Sequence, residues 1–239
     1  MRASDGRPTV LALLVAWGGS GVFAASLIYF LFSYAVKFAV PATDKAVARP
    51  VTWNVALFTI FAMHHSVFAR GTVRRWIATF LPASLERSFY VWVASLLFIA
   101  TCALWQPVPG IAWRTDGLGS WGLRLLQLIG IWLTLRSAAI LDIFELSGVR
   151  QAQQRPSRPL DFTPRGPYAW VRHPIYTGWF LIVFAVSPMT MTRLVFAIVS
   201  GAYLLLAIPL EERSIQDGSA GAYDRYMALV RWKLIPHVY

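Results

Sequence analysis

Two short stretches concentrate the side chains able to do chemistry. The first is Arg165-Gly166-Pro167-Tyr168-Ala169-Trp170-Val171-Arg172-His173-Pro174-Ile175-Tyr176-Thr177-Gly178, where a polar loop meets an apolar run. Pro174 suits the first turn of a helix, where its missing N–H costs nothing. His173 then stands at the cap and Arg172 just outside it, with Tyr176 and Gly178 following. A cation, an imidazole, an aromatic ring and a glycine that permits close approach gather at one helix N-terminus. Such an end attracts anionic groups such as a carboxylate. The second stretch is Glu211-Glu212-Arg213, expected at the end of the last apolar run. Adjacent carboxylates at a helix C-terminus oppose the helix dipole. A cationic ligand group or Arg172 could compensate them, and so could a solvated helix end with Arg213 as partner.

His64 and His65 form a third polar point, near one end of an apolar run. Three readings are open: a base at a substrate site, a haem ligand, or an interfacial histidine bonded to a neighbouring helix. Adjacent histidines point to different helix faces and do not easily grip one metal, so no metal site is expected. Glu86 and Arg87 read as a surface pair or as part of a pocket mouth. The single cysteine, Cys102, sits in an apolar run, which suits a small buried residue and excludes an intramolecular disulfide.

The elements that must position these residues are hydrophobic helices. The chain has 239 residues, 57% of them hydrophobic and 14% charged, where a soluble domain carries about 25% charged residues. Apolar runs from Thr9 to Val36, Val51 to Phe68, Phe89 to Trp105 and Trp121 to Leu141 are each near the ~20 residues that cross the hydrocarbon. Ile175 to Val186 is shorter, Ser187-Pro188-Met189-Thr190 breaks it, and Thr192 to Leu210 is apolar again. This pattern predicts a helical hairpin whose two arms cross the bilayer, the first being short or tilted. Glu211 to Tyr239 is too charged to span. Gly218 and Gly221 mark a turn there, and Ala222 to Trp232 suits a short surface helix. Gln151 to Pro164 reads as a connecting loop. The expected fold is all-α, a polytopic transmembrane helix bundle of about six spans, including the C-terminal hairpin, with a cytoplasmic tail helix. One integral membrane domain over 1–239 is expected, with N-terminal spans over 1–145 and the loop, hairpin and tail over 146–239.

Fifteen of the 22 Lys and Arg residues fall on one side of these spans and six on the other. The positive-inside rule places both termini, and the segments around His173 and Glu211, in the cytoplasm. The net charge of +11 is read as a topology signal and as contact with anionic lipid, not as a nucleic-acid footprint. Arg136 lies inside the fourth span and needs a partner or a polar cavity. The first apolar run is as long as a span and lacks a convincing cleavage site, so no signal peptide is expected. Gly18-Gly19-Ser20-Gly21 lies inside an apolar helix with no preceding strand, so it reads as helix packing and not as a nucleotide loop.

Arg172-His173-Pro174-Ile175-Tyr176-Thr177-Gly178, an apolar hairpin, Glu211-Glu212-Arg213, and then Tyr223, Tyr226 and Pro236 resemble a known C-terminal half. It is that of the isoprenylcysteine carboxyl methyltransferase and phospholipid methyltransferase superfamily, integral membrane enzymes that use S-adenosylmethionine. Further segments extend the resemblance along the chain: His65-Ser66-Val67-Phe68-Ala69-Arg70, Glu86-Arg87-Ser88-Phe89-Tyr90, Trp105-Gln106-Pro107, Phe144-Glu145-Leu146-Ser147-Gly148-Val149-Arg150-Gln151 and Pro188-Met189-Thr190. These are similar to the bacterial methanethiol S-methyltransferases and their NnrU-like relatives. Ile143 stands where that group tends to have histidine, Glu145 where it has aspartate, and Ser147 where it has phenylalanine. These departures fall outside the cofactor segments and bear on the acceptor.

The resemblance implies S-adenosylmethionine bound by Tyr168, Arg172, His173, Pro174, Tyr176, Gly178, Glu211, Glu212 and Tyr226, with Arg172, Glu212 and His65 as catalytic residues. The residue chemistry is compatible. Arg172 can hold the cofactor carboxylate, and Glu211 or Glu212 its ammonium or ribose hydroxyls. Tyr176 or Tyr168 can face the sulfonium, and His173 can bond the adenine. A small or lipophilic thiol is the expected acceptor. Thiols ionise near pH 8.5 or above, and a nearby arginine favours the thiolate. Alternatives are a prenylated cysteine carboxylate or a phospholipid amine. In a different class stand a non-catalytic NnrU-like protein of nitrogen-oxide or haem-related metabolism and an NADPH-dependent membrane reductase. The expected setting is a bacterial inner membrane, with lipids and the methyl acceptor as partners.

Overall fold

The structure is a computed structural model and describes residues 9–43, 46–68, 73, 76–77, 79–155 and 162–239. Ala69, the middle of the Gln151–Pro164 loop, and Arg2, Arg7, Lys45, Arg70, Arg74, Arg75 and Arg158 of the charge asymmetry lie outside the described residues.

Helices dominate, because hydrocarbon offers no partner for a backbone N–H or C=O. Helix α1 is Val10–Phe32, continued by a π-helical turn, Ser33–Lys37. Thr9, where the first apolar run begins, is its N-cap and accepts from Ala12 N at 3.2 Å. Then follow α2 (Ala48–Phe68), α3 (Ala83–Leu104), α4 (Gly117–Ile140), two short turns α5 (Ile143–Leu146) and α6 (Val149–Ala152), a 3-10 turn (Gly166–Ala169), α7 (Pro174–Phe184), α8 (Met191–Gly218) and α9 (Ala222–Leu229). Among the described residues, five helices are long and apolar enough to cross a membrane: α1 with its extension, α2, α3, α4 and α8. Helix α7 has 11 residues, or about 16 Å, roughly half the ~30 Å hydrocarbon thickness. The chain is thus an all-α polytopic membrane protein, and the first hairpin arm is short, as its sequence indicated. The described sheet is one small antiparallel pair, Ile111–Trp113 (β1) with Met189–Thr190 (β2), at the break between the hairpin arms.

The chain forms two compact units. The first comprises Met1–Lys37, Thr52–Gln106 and Leu141–Arg158; the second comprises Phe38–Val51, Pro107–Ile140 and Pro159–Tyr239. In the first unit α1 packs on α3 through its glycines. A Cβ added at Gly18 or Gly19 would stand 3.0 Å from the Trp92 ring, and Trp92 Nε1 donates to Val15 O at 2.9 Å. The α5–α6 turn sits on the start of α3. Gly148 there has φ +86°, and a Cβ on it would come 2.8 Å from Ser88 N, while Arg87 Nε donates to Leu146 O at 3.0 Å.

In the second unit α4 and α7 meet at Gly130 and Gly178. A Cβ on Gly178 would lie 2.6 Å from Gly130 O and closer still to Thr134 Oγ1; one on Gly130 would lie 2.7 Å from Gly178 O. Small residues allow this approach, which is how helices associate where lipid removes the hydrophobic drive. Gly178, expected to give close approach to a cofactor, gives it on its Cβ side to α4.

A correction concerns Glu211-Glu212-Arg213. They do not end the last span, since α8 runs on to Gly218. The polar extension is held because Ile215 packs against the buried cluster of Tyr223, Tyr226 and Val230, and Gln216 Nε2 donates to Asp224 Oδ1 at 2.8 Å. The carboxylates therefore stand more than a turn from the helix end, where the dipole effect fades. The tail helix in turn stops at Leu229, short of Trp232, because the chain beyond it is used elsewhere. Gly178→Ala should lower the thermal midpoint in detergent, with an overpacking cost of roughly 1–3 kcal/mol. An unchanged midpoint would show that the α4–α7 contact is not as tight as described.

Candidate active site

The site is built where α7 begins. His173 is its N-cap and Pro174 its first residue, buried, as the sequence indicated. The segment after α9 crosses this start. Arg172 N donates to Trp232 O and His173 N to Lys233 O, both at 2.9 Å. Thr177 Oγ1 donates to Leu234 O at 2.7 Å. Segments some sixty positions apart are thus bonded along their backbones.

Glu212 lies at the centre. Its carboxylate accepts from Arg172 Nε at 2.7 Å and from Arg172 NH2 at 3.5 Å. His173 Nε2 stands 3.1 Å from Glu212 Oε1, which makes Nε2 the nitrogen that carries the proton. Lys233 Nζ is 3.9 Å from Glu212 Oε2. The Arg172 and Glu212 side chains are each 9% exposed. The remaining Arg172 nitrogen, NH1, donates to Val230 O at 3.2 Å and Arg231 O at 2.9 Å. Every guanidinium nitrogen therefore has a protein acceptor.

Glu211 differs. Its side chain is 44% exposed and accepts from Tyr176 Oη at 2.7 Å. The Tyr176 ring stacks on His173, with centroids 5.4 Å apart, and His173 Nδ1 is 3.8 Å from Glu211 Oε2. Tyr226 Oη donates to Tyr168 O at 2.8 Å, and Phe162 packs edge-on against Tyr223. Burial pushes the Tyr226 hydroxyl up to about 12, against the pull of Arg172. Tyr168 and Tyr223 are raised by burial too, reinforced by nearby phenols and carboxylates.

The structure thus joins Tyr168, Arg172, His173, Pro174, Tyr176, Glu211, Glu212 and Tyr226 in one place. Lys233 and the carbonyls of Val230 and Arg231 belong there as well, and no spacing in the sequence signals them. His65 belongs to the first unit, where the Tyr90 hydroxyl lies 2.8 Å from its Nδ1. In that unit Glu145 Oε1 accepts from Gln151 Nε2 at 2.9 Å. Glu145 Oε2, Gln151 Oε1, Ser147 Oγ and Ser88 Oγ are buried without a partner among the described residues. Both ring nitrogens of His64 share that condition, with the ring stacked 4.4 Å from Phe68.

Comparison with known proteins fits this arrangement. A model of the isoprenylcysteine carboxyl methyltransferase family matches residues 135–217, a span holding Arg172, His173, Glu211 and Glu212 but not Lys233. Methanethiol S-methyltransferase 2 of Bradyrhizobium diazoefficiens is 32% identical over 235 residues, covering 95% of this chain and 90% of that protein. Methanethiol S-methyltransferase of Mycobacterium tuberculosis is 36% identical over 219 residues, covering 85% and 90%. The chain belongs to the family of the methanethiol S-methyltransferases. It is a membrane methyltransferase. Nurim of Bos taurus is more distantly similar, 27% identical over 186 residues, 72% of this chain and 71% of that protein. No solved structure matches the chain at a significant level.

Two measurements follow. Arg172→Ala leaves the buried Glu212 carboxylate only His173 and the more distant Lys233, which should cost up to roughly 3–5 kcal/mol and show as a lower thermal midpoint with faster proteolysis of the tail; an unchanged tail would refute the bracket. Tyr226 is raised from 10.0 to about 12 in the folded state, so the unfolded chain loses this proton first. Its contribution is intact below about pH 10 and should decline as pH rises from there toward 12. Phenolate absorbance of the Tyr226→Phe variant, subtracted from that of the parent, reads this directly.

Proposed function

We propose that this enzyme transfers a methyl group from S-adenosylmethionine to a small thiol, with the cofactor held beside the Tyr176–Glu211 pair. The observation that carries the reading is an accessible carboxylate, oriented by a phenol, next to a buried Arg172–Glu212–His173 bracket. The donor set suits the cofactor. Glu211 can meet its ammonium or ribose hydroxyls, and Tyr176 and Tyr168 offer electron-rich rings to a sulfonium. Arg172 is committed to Glu212 and two backbone carbonyls, so the cation for the cofactor carboxylate is Lys233, which would turn from its long contacts with Glu212 and Tyr239. Pro174 and Tyr226 shape the surroundings through α7 and through Tyr168. When bound, S-adenosylmethionine supplies an electrophilic methyl group.

The chain's own residues do the rest. Arg172, Glu212 and His173 hold the tail across the start of α7 and so fix the groups that bind and orient, which matters because in-line transfer depends on placement. Methylating a thiol releases its proton, which solvent at the exposed Glu211 side of the site can take. The relatives bear the name methanethiol S-methyltransferase, which favours a small thiol over a prenylated cysteine carboxylate, a phospholipid amine or a non-catalytic role. The excess of Lys and Arg on one side of the spans supports cytoplasmic termini and a cytoplasmic site in a bacterial inner membrane.

Calorimetric titration of S-adenosylmethionine into detergent-purified protein should give saturable binding in roughly the micromolar range. Glu211→Ala should weaken it about tenfold or more, as expected for a charged hydrogen bond of ~1.5–3 kcal/mol, with the thermal midpoint unchanged. Folded protein that binds neither the cofactor nor its demethylated product would overturn the reading. Methyl transfer to methanethiol, and not to prenylcysteine or phospholipid, would settle the acceptor.

A further inference from the structure

Arg136 is an ionisable residue that the site does not absorb. It lies in α4, one turn before that helix ends at Ile140, and it is exposed. It makes no hydrogen bond, ion pair or ring contact with any described residue. Helical spacing places Leu125, Ile129 and Trp132 on the same face, and these are 59%, 41% and 53% exposed. A guanidinium without a partner among the described residues thus stands at the end of an apolar stripe on a membrane-spanning helix.

Depth identifies what it meets. Helix α4 has 24 residues, or about 36 Å, against a hydrocarbon thickness of ~30 Å. Centred in the bilayer, it puts the Arg136 Cα roughly 3 Å inside the boundary. From there the side chain can snorkel to the headgroup level, where the abundant anion is a lipid phosphate. A second copy of this chain could bring a counter-charge only from α3, α8 or the turn after α4, because α1, α2 and α4 contain no Asp or Glu, and the test below includes that outcome. The surroundings add positive charge. A Cβ on Gly166 would lie 3.1 Å from Ile140 Cδ1, so the loop carrying the exposed Arg165 abuts the same end of α4.

We propose that the α4 face formed by Leu125, Ile129, Trp132 and Arg136 binds an anionic phospholipid, with Arg136 donating to the phosphodiester and an acyl chain lying along the apolar stripe. The bound lipid borders the Gly166–Ala169 turn that carries Tyr168. The proposal stands independently of the methyl acceptor.

The test is native mass spectrometry of protein taken from phosphatidylcholine nanodiscs with and without phosphatidylglycerol. The parent should retain phosphatidylglycerol in preference to phosphatidylcholine. Arg136→Leu, an apolar replacement suited to a span, should reduce phosphatidylglycerol retention roughly fivefold, in line with ~1 kcal/mol per basic residue near an anionic surface. Arg136→Lys should keep most of the preference, and Arg124→Leu, at the other end of α4, should leave it unchanged. Equal retention by the parent and Arg136→Leu would overturn the site, and equal retention of the two lipids by the parent would overturn its anionic selectivity. A parent dimer that Arg136→Leu dissociates would assign the face to a second copy instead.

Discussion

One buried carboxylate organises the second unit. An ionised glutamate removed from water costs several kcal/mol unless charge and hydrogen bonds replace its hydration. Glu212 meets that demand with two Arg172 nitrogens and His173 Nε2. Satisfying it obliges α8 to continue past its apolar portion and brings position 212 beside position 172. Arg172 carries donors that Glu212 does not use, and these capture the carbonyls of Val230 and Arg231. A single ion pair therefore fixes the start of α7, the extension of α8 and the path of the tail. It also separates two chemically identical neighbours: successive helix positions face different directions, so burying Glu212 leaves Glu211 exposed.

The bilayer imposes the second constraint. Helices α4 and α7 cannot rely on hydrophobic association, since lipid is as apolar as they are. They gain contact by bringing Gly130 and Gly178 together until neither position has room for a methyl group. This seam holds α7, too short to span on its own, in a defined place. The N-terminal bracket and the glycine seam act on opposite needs of the same helix: one anchors its polar cap, the other its apolar body.

The first unit carries a polar arrangement of its own. Ser88, Glu145, Ser147 and Gln151 each have a buried atom without a partner among the described residues, against the general rule that buried polar groups are bonded. The α5–α6 turn meets α3 at Gly148 and through the hydrogen bond from Arg87 to Leu146 O. Glu145, Ser147 and Gln151 lie on this turn and Ser88 on α3.

Much was legible in the amino-acid order. Apolar run lengths gave the spans, because hydrocarbon thickness converts directly into residue number. Pro174 marked the start of α7 and placed His173 at its cap, because a proline's missing N–H and fixed φ suit that position. The glycines at 18 and 19 read as packing positions, because an apolar helix offers them no other use. Position in sequence could not say that α8 runs on to Gly218, since the residues after Leu210 look polar until Ile215 is seen against Tyr223 and Tyr226. Nor could it assign Gly178 to α4, identify Lys233, or separate Glu211 from Glu212. Each of those depends on which residues, in most cases tens of positions apart, meet one another, and that meeting is decided by burial and charge compensation in the folded chain.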